Sequence, residues 1–389
     1  MIKETKSTGF TAYKWRSPIK SIVYVGMDVH SSNYTLSCYM VENDRCFATV
    51  QIAPDYREVL KYLAKVQENI GEPCEFHCGY EAGCLGYTLY HQLADHDVDC
   101  TILAPTTMPI YKKNEIKTDK RDAMKIARCL AFNTYHAVYI PTREDSDTKE
   151  YIRMRDAHKR ALKTVKQQIM SFCLRYDFRY TGGKSNWTLK HLAWLKSLKM
   201  DALMREVLDE FLQTYQQLVD KVERFDKRIE ELAGGTSYAD KVKKLSSFIG
   251  IRTHTALALV VESGDFTRFA KANQYAAFLG LVPGEKSSGD KVNRTGITKA
   301  GNSHLRRLLT EAAQCYGRGR IGYKSRALKA RQYGNTPETI GYADKANERL
   351  RRKYYHMVLK YNKKHNVAVV AVARELACFI WGMMTEHTA

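Results

Sequence analysis

Three short segments near the start of the chain, Ser21 to Asp28, Tyr34 to Val41 and Cys46 to Ile52, are rich in β-branched and aromatic residues and are separated by turn residues. Their closeness leaves room only for tight connections, which predicts three consecutive strands in an antiparallel meander. Helical spacing follows at Val59, Leu60, Leu63 and Val66, then an apolar strand ending at Glu81, a helix from Leu85 to Leu93 and a strand from Val98 to Leu103. Beyond a loop from Ala104 to Thr118, the residues Ala123, Ile126, Ala127 and Leu130 keep one helical face. The order β-β-β-α-β-α-β-α predicts an α/β sheet with the meander on one side and crossover helices on its faces.

That order suits the ribonuclease-H-like architecture, and it predicts a first domain over residues 20–142. The chain then turns helical from Tyr151 to Tyr176. Apolar residues at 208, 211, 215, 218, 222, 225, 229 and 232 alternate spacings of three and four, the seam of a coiled coil or a long antiparallel helix pair. Leu162, Val165, Ile169 and Phe172 would supply the partner stripe, and Gly182-Gly183 and Gly234-Gly235 punctuate the region, assigned to residues 143–240. Residues 241–389 read as a mostly helical, all-α domain interrupted by a Gly-rich, Ser-rich, basic loop from Gly284 to Asn302. Within it, Gly250 to Asp265 predicts a helix-turn-helix or hairpin that meets a DNA backbone through turn amides. Residues 316–364 interleave Arg and Lys with Tyr316, Tyr323, Tyr333, Tyr342, Tyr354, Tyr355 and Tyr361. Two readings stand there: a surface that grips phosphates and stacks on bases, and a plain solvated helix face.

Lys plus Arg number 62 and Asp plus Glu 42 in 389 residues, a formal charge of +20. Each phosphate neutralised by a cationic side chain releases counterions, so this surplus favours nucleic acid over a small acidic substrate. An anionic membrane is a weaker partner, because no strongly basic amphipathic helix stands apart. The ten cysteines are spread over the whole length and read as reduced thiols. The opening MIKETKSTGFTAYKW is charged and lacks the apolar core of a signal peptide. Val367 to Met384 is apolar but interrupted by Arg374 and Glu375, a packed helix and not a membrane span. A cytoplasmic, nucleoid-associated protein is expected.

Four carboxylates are candidates for metal-dependent phosphodiester chemistry, which needs clustered oxygen ligands that leave room for water and phosphate. Asp28 ends the first strand in YVGMDVH, where the alternative is an Asp that opens a turn. Glu81 ends a strand in GYEAGCLGY, with Gly79 and Gly83 permitting close backbone approach. Asp119 and Asp122 in KTDKRDAMKIA lie three apart at a helix start, on one face. Here the competing reading is a capping pair, Asp119 as N-cap answered by Asp122. Lys117, Lys120 and Arg121 crowd the same turn and would attract phosphate. Cys74, His77, Cys78 and Cys84 invite zinc, but residues alternating along a strand point to opposite faces and no second CxxC closes a tetrahedral site.

In the last third, Ser287 and Ser288 stand beside Gly289 with Lys286, Lys291, Arg294, Lys299, Arg306 and Arg307 around them. A serine hydroxyl is a weak nucleophile at neutral pH and needs a base, a metal or strong positive charge to attack phosphate. The alternative is an ordinary Ser-Gly surface loop.

Taken together, GMDVH, GYEAGCLGYTLYHQL, LAPTTMPIYKKNEIKTDKRDAMKIARCL, VYIP and GLVPGEKSSGDKVNRTGITKAGNSHLRRLLTEAA resemble the DEDD transposases of bacterial insertion sequences, over about residues 20 to 385. The better-studied members are guided by a bridge RNA. The resemblance implies that Asp28, Glu81, Asp119 and Asp122 form the tetrad of a RuvC-like domain binding Mg²⁺ (or Mn²⁺). It also implies a nucleophilic serine in the C-terminal transposase domain, which alignment on Pro283 and Gly289 places at Ser288, with Ser287 as fallback. Strand cutting and rejoining would then pass through a covalent phosphoserine. The implied partners are donor and target DNA, a bridge RNA and further copies of the chain, a dimer assembling to a tetramer in which one subunit's carboxylates meet another's serine. Two departures stand out: Ser31 where many relatives have lysine, and a tail from Tyr316 to Lys364 longer and more basic than in compact members. A RuvC-like junction nuclease using water as nucleophile, and a non-catalytic nucleic-acid scaffold, are the rival expectations.

Overall fold

The computed structural model describes residues 21–109, 118–285 and 293–387. The chain divides into two compact units, the first ending at Ile140 and the second beginning at Pro141.

The first unit is built on a mixed sheet. Strands β1 (Ser21–Val29), β2 (Tyr34–Met40) and β3 (Arg45–Ile52) form the meander, and β4 (Cys74–Glu81) and β5 (Asp99–Leu103) extend it in the order β3-β2-β1-β4-β5. The pairs β1–β2 and β2–β3 are antiparallel, whereas β1–β4 and β4–β5 are parallel. The parallel pairs need crossovers, which α1 (Tyr56–Ile70) and α2 (Thr88–Ala94) supply. Alternation along the strands sorts their side chains onto two faces. Val23, Val25 and Met27 of β1 and Cys78 and Tyr80 of β4 pack with Val59, Tyr62, Leu63 and Val66 of α1 and with Leu89 and Leu93 of α2. The opposite face carries Tyr24 and Gly26 of β1 and Gly79 of β4, and receives helix α3 (Asp119–Ala131) through Ala123, Ala127 and Leu130.

The second unit is almost wholly helical. Helix α4 (Arg143–Arg175) starts earlier than the apolar spacing predicted, because Thr142 caps it by accepting the Asp145 N–H at 3.0 Å. After α5 (Leu189–Ser197), α6 (Ala202–Ala233) returns antiparallel to α4, with Arg155 meeting Asp226 near one end and Lys166 over the Tyr215 ring farther along. The expected stripe of Val165, Ile169 and Phe172 packs on Leu208 and Tyr215, with Leu212 more deeply buried than Phe211.

Helices α7 (Ala239–Leu245), α8 (Thr253–Ser263) and α9 (Ala272–Phe278) lead to a two-stranded hairpin of β6 (Pro283–Glu285) and β7 (Arg294–Ile297). Helices α10 (Ser303–Ala313), α11 (Arg326–Gln332), α12 (Pro337–Tyr355) and α13 (His365–Met384) complete the unit.

The helix-turn-helix expected over Gly250 to Asp265 is displaced: that stretch supplies the end of the turn and the helix α8, while the helix before the turn is α7, which packs on α8. Every residue from Ala256 to Val261 is buried, so α8 itself is a core helix. Helix α13 has the length and apolarity to cross a membrane, with mean hydropathy 1.8. It packs instead against α9, α10 and α12, and its Glu375 takes Arg349 and Lys353 of α12, both at 2.5 Å. The Tyr-rich stretch splits: Tyr316 and Tyr354 are core residues, while Tyr323, Tyr333 and Tyr361 are exposed.

Candidate metal centre

The sheet and α3 bring the four carboxylates toward one place. Asp28 lies two residues after Gly26 and Glu81 two after Gly79, and these glycines are register partners on adjacent parallel strands. Period two therefore puts both acids on the α3 face, at neighbouring C-terminal strand ends. The glycines make this possible. A Cβ on Gly26 would stand 2.0 Å from the Ala123 carbonyl oxygen and 2.3 Å from the Ala127 nitrogen, and one on Gly79 would stand 2.9 Å from Leu103 and Leu130 methyl carbons. Only bare backbone lets α3 lie this close to the sheet.

At the start of α3 the N-cap is Thr118, whose hydroxyl accepts the Arg121 N–H. The capping role considered for Asp119 is thus filled by its neighbour, and Asp119 and Asp122 occupy the first turn, where the helix dipole favours negative charge. Asp28, Glu81 and Asp122 line one cleft of about 370 Å³, together with His30, Pro105 and Lys125. A carboxylate oxygen of Asp28, one of Asp119 and a ring nitrogen of His30 all lie within 4.8 Å of one another. Ligands on opposite sides of a Mg²⁺-sized ion stand roughly 4 Å apart, so this spacing accepts a divalent cation with small side-chain adjustment. The electrostatics agree. Burial raises the Asp28 carboxyl above its ordinary range, and Asp122 and Asp119 add to the rise while His30, 3.4 Å away, opposes it. A cation would relieve that repulsion.

His30 and Lys125 are parts of the cleft that sequence reasoning missed. His30 follows Asp28 by two residues and so shares its face, and Lys125 follows Asp122 by one helical turn; both spacings were legible in YVGMDVH and KRDAMK. Lys120 and Arg121 are exposed on the same helix start. No zinc group forms from the cysteines among the described residues: Cys78 is buried, Cys84 exposed, and His77 Nδ1 pairs with Asp99 at 2.5 Å.

Lys117, expected beside Asp119, and Lys286, Ser287, Ser288 and Lys291, expected around the nucleophile, lie outside the described residues, and Arg294 is described only as backbone in β7. Lys299 is exposed. Arg306 turns into the protein, its Nη1 donating to the Leu279 and Ala300 carbonyls at 2.9 and 3.0 Å, whereas Arg307 stays exposed while pairing with Asp156 and Glu311.

Comparison with known proteins completes the description. A family model described as "Transposase" matches residues 25–176, and one described as "Transposase IS116/IS110/IS902 family" matches residues 242–329. A protein of Sinorhizobium fredii named as transposase y4qE is 34% identical over 308 residues, covering 79% of this chain and 75% of its own length. The transposase for insertion sequence element IS1533 of Leptospira borgpetersenii is 31% identical over 352 residues, 89% of this chain and 99% of its own. The transposase for insertion sequence element IS1111A of Coxiella burnetii is 26% identical over 303 residues, 77% of this chain and 74% of its own. A mixed α/β sheet with an acidic cleft, followed by a helical second unit and matched in this way, defines an insertion-sequence transposase, an enzyme that acts on DNA. Within that class the chain belongs to the IS110 family of DEDD transposases.

Proposed function

We propose that this chain cuts and rejoins DNA strands at the ends of its own insertion sequence, using Asp28, Glu81, Asp119 and Asp122 to hold Mg²⁺ or Mn²⁺ and Ser288 as nucleophile. The observation that carries the reading is the gathering of the acids at the C-terminal ends of β1 and β4 beneath the first turn of α3. We take the sheet, with its 3-2-1-4-5 order and only β2 antiparallel to its neighbours, as ribonuclease-H-like of the RuvC kind.

When bound, the cation supplies Lewis-acid polarisation of a phosphate oxygen. The residues do the rest. The carboxylates would hold that cation facing the scissile phosphate, and Lys125, Lys120 and Arg121 neutralise the adjoining backbone. Ser288 Oγ forms a bond to phosphorus as the bond to the leaving sugar oxygen breaks, the serine proton departs to solvent, and the departing oxygen takes one up. Attack by a second strand's hydroxyl reverses the exchange and frees the serine. The charge of +20 supports nucleic acid as partner, and a guide RNA and a tetramer built on the α4–α6 pair extend the reading by family likeness.

The test traps denaturation-resistant protein–DNA adducts on donor DNA with wild type, Asp28→Asn and Ser288→Ala. Adducts with wild type alone are expected, and adducts persisting in Ser288→Ala would remove that serine from the role. Sequencing the RNA that co-purifies with the full chain tests guidance.

A further inference from the structure

His304, near the start of α10, is held between two carboxylates from different helices. Its Nε2 lies 2.8 Å from Asp156 Oδ2 of α4, and its Nδ1 lies 2.6 Å from Glu262 Oε1 of α8. An acceptor at each ring nitrogen requires a proton on both, so the ring is an imidazolium. The acids are deeply placed, with side chains 4% exposed for Asp156 and 1% for Glu262.

The surroundings complete a charge network. Arg153 of α4 meets Glu262 at 2.9 and 3.2 Å, and Arg155 meets Asp156 at 3.0 Å while also bonding Asp226 of α6. His254 of α8 lies 3.0 Å from Asp156, within ion-pair range though not aligned for a hydrogen bond. From α10, Arg307 joins Asp156 and Glu311. Apolar side chains of equal volume would hold helices together at less cost in desolvation, so such networks are better suited to fixing one geometry.

The geometry being fixed is the root of the β6–β7 hairpin. Asn302 donates from Nδ2 to Glu262 at 2.7 Å, caps α10 by accepting the Leu305 N–H at 3.0 Å, and donates its own N–H to the Phe278 carbonyl at 2.9 Å. The Thr298 and Lys299 N–H groups bond the Val282 and Gly280 carbonyls at 2.9 and 3.1 Å. A path of hydrogen bonds therefore runs from Asn302, three residues along the backbone from the root's rung at Lys299, through Glu262 and His304 to Asp156 on the longest helix of the unit.

We propose that His304 is a positioning residue, whose positive charge between Asp156 and Glu262 locks the β6–β7 hairpin in one orientation on α4 and α8 and so sets where the chemistry carried by that hairpin takes place. The inference rests on the reading that places the nucleophile between these two strands. His304 itself touches no substrate. Burial disfavours its charge, but the bonds to Asp156 and Glu262 outweigh burial and raise its pKa above the ordinary histidine range, which keeps the clamp closed at neutral pH. Loss of the proton leaves a ring lone pair facing a carboxylate and opens it.

The experiment uses the full chain with Mg²⁺ and a supercoiled donor plasmid carrying the element, and reads single-turnover strand breaks against pH. Wild-type cleavage is expected to fall on the alkaline side. Glu262→Gln keeps the shape and, with its one amide oxygen toward Arg153 Nη2 and Asn302 Nδ2, the bonds on that side, but removes one charge holding the proton, and the alkaline limb is expected to move down by about one pH unit. His304→Gln is expected to lose about tenfold at neutral pH and to abolish the limb, with thermal unfolding followed alongside. A wild-type rate that does not fall at alkaline pH, or a limb that stays put in Glu262→Gln, overturns the proposal even if His304→Gln fails to fold. Because strand breaks and not adducts are counted, cleavage without a covalent species would sink the serine reading while leaving the limb shift to decide on His304.

Discussion

Gly26 of β1 and Ala123 of α3 meet backbone to backbone: a Cβ on the glycine would stand 2.0 Å from the alanine carbonyl oxygen. Asp28 lies one strand period beyond this contact, and Asp119 and Asp122 lie within one helical turn before it. The approach of helix to sheet is thus what brings acids from distant parts of the chain within reach of one ion. Gly26→Ala is expected to push α3 off the sheet, with a stability loss of about 3 kcal/mol or more, since the obstacle is backbone and has no rotamer to yield. Denaturant unfolding checks the loss, and Mn²⁺ titration followed by electron paramagnetic resonance should show cation binding weakened with it. A Gly26→Ala variant with wild-type stability would mean that α3 is not docked this tightly.

The Asp28 carboxyl has a folded-state pKa above its ordinary value of 3.8, through burial and the nearby Asp122 and Asp119. A raised acid contributes stability that is complete below the unfolded value and lost as pH rises through the folded one, so at neutral pH the metal-free cluster weakens the fold. Asp28→Asn is therefore expected to raise the melting temperature of the metal-free protein while abolishing strand cleavage. Mg²⁺ at about a hundred times its dissociation constant should stabilise wild type by about 2.7 kcal/mol at neutral pH, progressively less as pH falls and the carboxylates protonate, and Asp28→Asn much less at any pH. Equal cation-induced stabilisation of the two proteins in calorimetry would place the ion elsewhere.

Gly301, with φ of 73°, stands where a Cβ would be 2.1 Å from the Phe278 carbonyl oxygen. Gly301→Ala is expected to cost about 1–3 kcal/mol through both the left-handed backbone and the contact, and to loosen the hairpin root. Hydrogen exchange should show faster exchange at the Asn302, Lys299 and Thr298 amides, whose partners lie across that contact. Unchanged protection there would mean the root is held by other means.

The strands and their order were readable because each buried face leaves a period-two trace: Val23, Val25 and Met27 announce the inner side of β1, and the turns between the meander strands are too short to permit other connections. The acids at the ends of β1 and β4 were readable for the same reason. What escaped depends on pairing across long stretches of chain. Asp119 looks as suited to capping as Thr118 until the helix start is seen, and His30 is unremarkable until Asp119 is beside it. The depth of α8 within Gly250 to Asp265 was not legible because a short apolar run between turns fits a surface motif as well as a core helix, and only the packing of α4, α6, α7 and α10 around α8 decides. The meeting of Asp156 with His304, 148 residues apart, leaves no local trace in either neighbourhood.

That meeting also sets how the second unit responds to pH. Burial alone would raise the carboxyls of Asp156 and Glu262, but His254, His304 and Arg155 on the first, and His304, Arg153 and Asn302 on the second, more than reverse it, holding Asp156 well below the ordinary carboxylate range and Glu262 at about 2. A depressed acid contributes stability that is present above its unfolded pKa, 4.5 for Glu262, and disappears as pH falls through the folded value. His304 has the opposite sign: its raised pKa gives a contribution complete below the unfolded value of 6.5 and lost as pH rises through the folded one. The two limits bound a window between pH 4.5 and 6.5 in which the network contributes fully. Urea unfolding of the full chain is expected to show stability falling on both sides of that window. Asp156→Ala, which leaves His304 with Glu262 alone and Arg155 with Asp226 alone, should cost about 3 kcal/mol inside it and reduce the alkaline decline. An alkaline decline of the same size in Asp156→Ala as in wild type would show that His304 is not held charged by this pair.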